Sequence, residues 1–333
     1  MKKDEIVKIA EETILSIQKI DLLQLDISDY DKEYFTYLLS HIHYCFDIYI
    51  DTIIRLLPCD DEDASGYFVD FGGGEGFLSF FLKRLGLNVI YCDLCSSSVR
   101  AVNLLKKEIG YGPDFILEGS SSELLSFCKS NNMRPKYLIA TDLIEHVYDL
   151  NVLFSDFYAL NPAISMIFTT GSVKSNILKT KKLRKMMVVE DRDRYIPVRR
   201  QFIQENYPGM ASSEIDKLAK LTRGMIFADM ITFVDIYIKT NMLPDNDMDK
   251  YNTCDPETGN WSERILSKKQ YRKILDNYHF QVDFENGYYN IHRNNPALSI
   301  LIKMVNFFIR NFRLSGSLLA PFIFLTVRNQ KSD

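Results

Sequence analysis

The segment YFVDFGGGEGF carries the densest set of chemistry-bearing residues: an apolar run ends in Asp70, and Gly72, Gly73, Gly74 and Gly76 follow before a helical pattern. Glycines this close together let a backbone approach a ligand that a Cβ would repel. Their spacing is G-x-G-x-G. A dinucleotide fingerprint would need its third glycine at Phe77, so a pyrophosphate is not the expected ligand. A carboxylate at the strand end suits a ligand bearing an ammonium group instead. A second acid, Asp93, closes the run NVIYCD, where it can accept hydrogen bonds from paired ribose hydroxyls. A third group, Asp142, Glu145 and His146, is spaced i, i+3, i+4, which predicts three side chains on one face of a helical turn. His146 is the candidate base of the three, since an imidazole exchanges protons near neutrality.

These residues need elements to hold them. From Tyr67 onward short apolar runs alternate with helical patterns: strands at Tyr67 to Phe71, Asn88 to Cys92, Phe115 to Leu117, Tyr137 to Ala140 and Ile164 to Thr169, with helices between. Such alternation predicts parallel strands joined by helical crossovers, with ligands at the carboxyl ends of the strands. The next convincing strand, Phe280 to Phe284, comes roughly a hundred residues later, far beyond an ordinary connection. An inserted helical cap is expected there, with a helix at Lys268 to Asn277 and a last strand at Ala320 to Val327. Upstream, apolar spacing predicts two helices over residues 5–25 and 33–57, stopped by Pro58. The acidic run Asp60, Asp61, Glu62, Asp63 reads as a solvated loop.

A length of 333 residues allows two domains or one with a large insertion. With 46% hydrophobic and 25% charged residues, disordered, collagen-like and coiled-coil chains are set aside. The net charge of −4 argues against a whole-surface grip on nucleic acid. The amphipathic start MKKDEIVKIAEE is not a secretory signal, and the six cysteines, with one lone C-x-x-C at Cys92 and Cys95, predict reduced thiols in a cytoplasmic protein. The stretch Leu298 to Val327 is broken by Lys303, Arg310 and Arg313, so no spanning helix is predicted.

Asp70-Phe71-Gly72-Gly73-Gly74-Glu75-Gly76 resembles the first motif of class I S-adenosylmethionine-dependent methyltransferases. Asp93 stands where that superfamily has an acid after the second strand, and TDLIEHV (Thr141 to Val147) is similar to its E-V-I-E-H-V run. The resemblance spans about residues 67–170. It implies an α/β fold: a Rossmann-like seven-stranded sheet with helices on both faces and a large helical insertion after the fifth strand. The expected units are an N-terminal helical cap (1–63), a cofactor-binding core (64–172), a substrate cap (173–262) and a completion of the sheet (263–333). The implied cofactor, S-adenosylmethionine, would contact Asp70, Gly72, Gly73, Gly74, Asp93, Leu94, Ser120, Ser121 and Thr141. Ser120 and Ser121 replace an acid usual in the family near the adenine, and Lys136 stands where an Asp is common. Asp142, Glu145 and His146 resemble the E-x-x-E-H of the ubiquinone-biosynthesis O-methyltransferases and small-RNA 2′-O-methyltransferases, where it carries a divalent metal. Those families add a later histidine; the corresponding segment here has Gly259, Asn260 and Trp261, so a metal is not favoured.

The expected activity is methyl transfer, at oxygen, to a small-molecule, glycan or lipid-linked acceptor. A non-catalytic methyltransferase-like partner protein that keeps the cofactor pocket is the alternative. The insertion should define the acceptor. Its Arg192, Arg194, Arg199 and Arg200 could clamp a phosphate or carboxylate, against the plainer reading of a solvated charged face. Tyr195, Tyr207, Tyr251 and Trp261 could form a stacking wall. His41 and His43, two apart on a helix, point in different directions, so a shared site is not expected, though one of them could reach the cofactor from the N-terminal helices; His279 and His292 read as structural, and Cys92 and Cys95 as packing residues beside the ribose pocket. LSILIKMVNFFIRNF could lie on a membrane surface, but packing against the sheet is the simpler expectation.

Overall fold

The computed structural model describes residues 2–21, 25–57, 66–244 and 249–329. Pro58, Cys59 and the acidic run at 60–63 fall outside these. Three helices precede the first strand: α1 (Lys3–Gln18), α2 (Asp29–Ser40) and α3 (Ile42–Leu56). Two were expected. The first stops at Gln18, Ser28 caps α2 by accepting the Asp31 N–H at 3.1 Å, and the second pattern breaks at His41, which ends α2 and begins α3.

The alternating core follows as β1 (Tyr67–Phe71), α4 (Phe77–Arg84), β2 (Asn88–Asp93), α5 (Ser96–Ile109), β3 (Phe115–Glu118), α6 (Ser121–Ser130), β4 (Tyr137–Thr141), α7 (Leu150–Leu160) and β5 (Ser165–Thr170). The insertion then holds α8 (Ile177–Glu190), a π-helical turn over Asp191–Tyr195, α9 (Ile196–Asn206), α10 (Ser212–Leu221) and α11 (Phe227–Thr240). The sheet is completed by α12 (Lys268–Asp276), β6 (Phe280–Asn286), α13 (Pro296–Asn311), the short α14 (Arg313–Gly316) and β7 (Ile323–Asn329).

The seven strands lie in the order β3-β2-β1-β4-β5-β7-β6. β1 to β5 are parallel, and β7 runs antiparallel between β5 and β6. Because side chains alternate along a strand, the two faces have separate cores. Phe68, Val89, Tyr91 and Ile139 pack with α1 to α5, while Val69, Ile90, Leu138 and Phe168 pack with α6, α7 and α12. The expected α/β sheet with helices on both faces is therefore present. The insertion carries a small core of its own from Ile203, Leu218, Met230 and Val234. After β1 the chain winds out through β2 and β3, then returns to place β4 on the other side of β1. Such a reversal opens a crevice at the carboxyl ends of the two strands.

Among the described residues no helix is long and apolar enough to cross a membrane. α13 packs inward by one side only: Asn306 and Ile309 are buried, while Ile300, Leu301, Met304, Phe307 and Phe308 face out. Full packing against the sheet, the simpler expectation for this stretch, is not what forms.

Candidate functional site

The loop after β1 is shaped by what it passes. Gly72 (φ +66°) donates its N–H to the Cys92 carbonyl at 2.7 Å, and a Cβ there would lie 2.7 Å from Leu143. At Gly73 a Cβ would meet the Tyr91 ring at 2.7 Å and Asp70 Oδ2 at 2.8 Å. Gly74 has open space around it, so its φ of +50° is what favours glycine. Its N–H donates to Asp93 Oδ2 at 2.9 Å and its carbonyl accepts from the Tyr91 phenol at 2.6 Å. Asp93 Oδ1 accepts the Cys95 N–H at 2.8 Å. The acid at the tip of β2 and the glycine loop after β1 are thus one hydrogen-bonded unit.

Two carboxyls in this unit are buried. Burial pushes Asp70 up to about 7 against the opposing hydrogen bond from the Ser79 hydroxyl at 2.7 Å. Burial, helped by Asp31 and Asp93, pushes Glu75 up to about 8, and Glu75 Oε2 has no hydrogen-bond partner. A cation placed here would favour their ionised forms.

The crevice is a cavity of about 430 Å³. Gly72, Gly73, Gly74 and Glu75 line it on the β1 side, Thr141 and Asp142 on the β4 side, and Thr169 near the end of β5 with Gly171 and Lys179 beyond it. Most of the remaining wall comes from α2, α3 and the residue between them, with Tyr34, Tyr37, His41, Tyr44, Cys45 and Tyr49, and Phe77, Pro321 and Phe322 complete it. Tyr37 and His41 rings lie 4.8 Å apart, and the Tyr44 phenol donates to the Tyr288 carbonyl at 2.7 Å. Burial pushes the Cys45 thiol up to about 11, with Asp142 adding to the effect, so it remains protonated near neutrality. This N-terminal wall was not singled out from the sequence beyond the expectation that one of His41 and His43 could reach the cofactor; His41 is the one that lines the cavity. The signal was available, as Tyr34, Tyr37, His41 and Tyr44 recur at spacings of three and four.

Asp142, Glu145 and His146 do not share a helical turn. Asp142 takes the left-handed conformation (φ +55°), held by N–H donation to the Thr169 carbonyl and hydroxyl, both at 3.1 Å, and residues 142–148 form turns. Asp is among the few residues that tolerate this geometry. Glu145 is buried: Oε1 accepts the Gly171 N–H at 3.0 Å, Oε2 is without a partner, and burial with Asp142 nearby pushes its carboxyl well above the usual range. His146 Nδ1 lies 2.7 Å from the Trp261 carbonyl, so that nitrogen carries the proton and Nε2 is the acceptor of the neutral ring. Asp142 lines the cavity; Glu145 and His146 are not among its lining residues. Among the described residues no three His, Cys, Asp or Glu side chains are grouped to hold a metal ion.

Other expected residues are engaged elsewhere. Leu94 is 73% exposed. Ser120 caps α6 and pairs with Glu123, and the Ser121 hydroxyl donates to Asp156 at 2.5 Å. Neither serine lines the cavity. The arginine clamp is replaced by internal pairs: Arg192 with Asp193, Arg194 with Glu190, Arg200 with Asp216, and a fully buried Arg199 with Asp191 at 2.9 Å. Tyr195 and Trp261 are buried, Trp261 stacks on Tyr148, Tyr207 donates to Asp235, and Tyr251 packs beneath Arg184. None of these four rings lines the cavity. The Cys92 thiol donates to the Gly119 carbonyl at 3.4 Å, and Cys95 is exposed. A second cavity, of about 440 Å³, opens between α1, α3 and α13 and includes His43 and His292, but no strand end or glycine loop borders it.

No family model matches the chain and no curated protein matches it. Solved structures do. A SAM-dependent methyltransferase from Archaeoglobus fulgidus is 12% identical over 89% of this chain and 99% of its own, with a TM-score of 0.38. PKMT2 from Rickettsia typhi, solved in complex with AdoHcy, is 13% identical over 81% of this chain and 50% of its own, with a TM-score of 0.39. At such values function has to be read from the site. A particular likeness to ubiquinone-biosynthesis O-methyltransferases is not shown by these neighbours.

Proposed function

We propose that this chain is an S-adenosylmethionine-dependent methyltransferase acting on a hydroxyl of a small-molecule, glycan or lipid-linked acceptor. The supporting observation is the union in one cavity of the Asp93-bonded glycine loop with Thr141 and Asp142 at the end of β4. The residues present fit the cofactor. The loop has no room for a Cβ at Gly72 or Gly73, Asp93 offers two carboxylate oxygens for a ribose, and the unpartnered buried Glu75 oxygen suits a cationic group.

S-Adenosylmethionine supplies a methyl group already activated on a sulfonium. What remains for the protein is alignment, exclusion of water and a destination for the acceptor's proton. Gly72, Gly73 and Gly74 would hold the amino-acid end and Asp93 the ribose, with Thr141 and Asp142 bordering the reacting centre. The tyrosines of α2 and α3 would cover the acceptor and keep water out. We assign the proton to His146 Nε2; because the ring stands outside the cavity lining, which Asp142 borders, the proton would pass through one intervening water. The Trp261 carbonyl fixes the base-competent tautomer from the insertion, and the Trp261 N–H donates to the His146 carbonyl at 3.1 Å, so cap and base are linked by a reciprocal pair of hydrogen bonds.

Calorimetry with S-adenosylmethionine, followed by a search for adenosylhomocysteine release across alcohol, sugar and lipid-linked acceptors, tests this. Binding with release supports it. Lack of cofactor binding sinks the proposal, and binding without release from any acceptor favours a non-catalytic partner protein.

A further inference from the structure

Helix α13 presents an apolar stripe to solvent. Ile300, Leu301, Met304, Phe307 and Phe308 recur at i, i+1, i+4, i+7 and i+8, so they share one face, and all are exposed, Phe307 at 66%. The opposite side holds the helix to the protein: Asn306 Nδ2 donates to the Tyr289 carbonyl and its Oδ1 accepts the Tyr289 N–H, both at 2.8 Å. The stripe is therefore fixed in an ordered helix. It continues into exposed Leu318 and Leu319, and from there to α8, because Asn176 Nδ2 donates to the Ala320 carbonyl at 3.0 Å and Lys179 Nζ to the Pro321 carbonyl at 2.7 Å. The first turn of α8 adds exposed Ile177 and Leu178, the latter at 75%. An apolar surface of this kind marks an interaction site.

Charge identifies the partner. The chain has 44 acids against 40 bases, yet residues 171–189 and 287–329 contain no Asp or Glu at all. Within these acid-free segments Lys181, Lys182 and Lys185 are exposed on α8, and Arg293 and Lys303 are exposed beside and on α13. Acids of other segments border this surface at Asp47 and Asp51 beside α13 and at Asp249 beside α8, but they are paired with His292, with Arg55 and Arg310, and with Lys174 and Arg184. Exposed aliphatic and phenylalanine side chains interspersed with cations, on segments that carry no acid of their own, match the interface of an anionic bilayer.

We propose that α13, Leu318, Leu319 and the first turns of α8 form a docking face for an anionic lipid surface. Leu178 precedes Lys179, and Leu319 lies two residues before Pro321; Lys179 and Pro321 both line the cavity below the tyrosine wall. Docking by this face sets the cavity mouth at the lipid headgroups. The proposal stands apart from the methyltransferase reading, because its test needs no turnover.

The test is co-sedimentation of the full chain with vesicles of phosphatidylcholine alone and of phosphatidylcholine mixed equally with phosphatidylglycerol, at low and high salt. Binding is expected on the mixed vesicles only and should weaken as salt rises. Lys181→Glu, Lys182→Glu and Lys185→Glu together should weaken it on the order of a hundredfold, at about fivefold or more for each cation removed from the surface. Met304→Ser with Phe307→Ser, at exposed positions where the fold is undisturbed, should also abolish sedimentation, with circular dichroism confirming an intact fold. Absence of binding to mixed vesicles overturns the proposal, as does equal binding to both kinds. Self-association lost in the serine variant, or binding of duplex DNA, in either case without vesicle binding, overturns it in favour of a second copy or a nucleic acid.

Discussion

The phenol of Tyr91 donates a 2.6 Å hydrogen bond to the carbonyl of Gly74, reaching from the interior of β2 under the loop that follows β1. The same ring fills the space that a side chain at Gly73 would need. A fully buried residue of one strand thereby sets the backbone of its neighbour's ligand loop. The loop is shaped before any ligand arrives, and little ordering entropy remains to oppose binding.

Tyr91→Phe should keep the ring and lose the bond, leaving a loop carbonyl short of a partner. A cost of about 1–2 kcal/mol in stability is expected, with a several-fold loss of S-adenosylmethionine affinity. Thermal unfolding and calorimetry read the two effects. Unaltered affinity would mean that Asp93 alone holds the loop.

Glu75 gives a pH signature. In the unfolded chain it ionises at the ordinary carboxyl pH, whereas burial raises the folded group to about 8. The stability it contributes is full below the unfolded value and is lost as pH rises through about 8. Glu75→Gln should match the wild type near pH 4 and be the more stable protein at pH 9, by no more than about 5 kcal/mol. Melting curves across that range test it; a gap that shrinks toward high pH contradicts a buried neutral carboxyl. Saturating S-adenosylmethionine, a cation, should narrow the gap.

Asp93 separates loop holding from cofactor holding. Asp93→Asn keeps one acceptor oxygen for the Gly74 or Cys95 N–H but cannot serve both with a carboxylate's strength. The variant should fold and bind S-adenosylmethionine about tenfold to a hundredfold more weakly. Titration calorimetry beside a circular dichroism melt measures both. Wild-type affinity in this variant would remove Asp93 from the cofactor site.

His146→Ala should leave cofactor affinity within a few-fold of wild type, since the ring does not line the cavity. Turnover should fall by about 10² to 10⁴, the range of general-base contributions. His146→Gln, able to restore a hydrogen bond to the Trp261 carbonyl without a titrating nitrogen, should not rescue it. Rescue by Gln would reduce His146 to a tether between core and insertion. Retention of the acidic limb in the pH–rate profile would say the same.

The sheet was legible because parallel strands are buried on both faces and read as short apolar runs, and because Asp93 closes β2 and Asp70 stands one residue before the end of β1. The glycine loop was legible from its spacing. The cavity wall was not, since Tyr34, Tyr37 and Tyr44 have the spacing of ordinary core residues, and only the fold places α2 and α3 over the strand ends. Spacing misled at Asp142, where i, i+3, i+4 implied a helix but the Thr169 carbonyl and hydroxyl draw the backbone into a left-handed turn. The arginines of the insertion could not be judged from type alone. Asp191 opens the π-helical turn eight positions before Arg199, a spacing that does not by itself announce the buried pair they form.

Val173, just past β5, and Leu266, just before α12, pair in a single parallel bridge outside the sheet, so the insertion begins and ends at almost the same point. In topological terms the ninety-odd residues between them are a cassette: they can be lengthened, shortened or exchanged without altering which strand neighbours which. Changing the cassette's length adds little to the closure entropy already met, about 0.6 kcal/mol for each doubling of a flexible loop. The glycine loop and the tyrosine wall both lie upstream of that junction. A lineage of such proteins could therefore change the cap around His146 while inheriting the binding loop unaltered, and acceptor range could diverge faster than cofactor use.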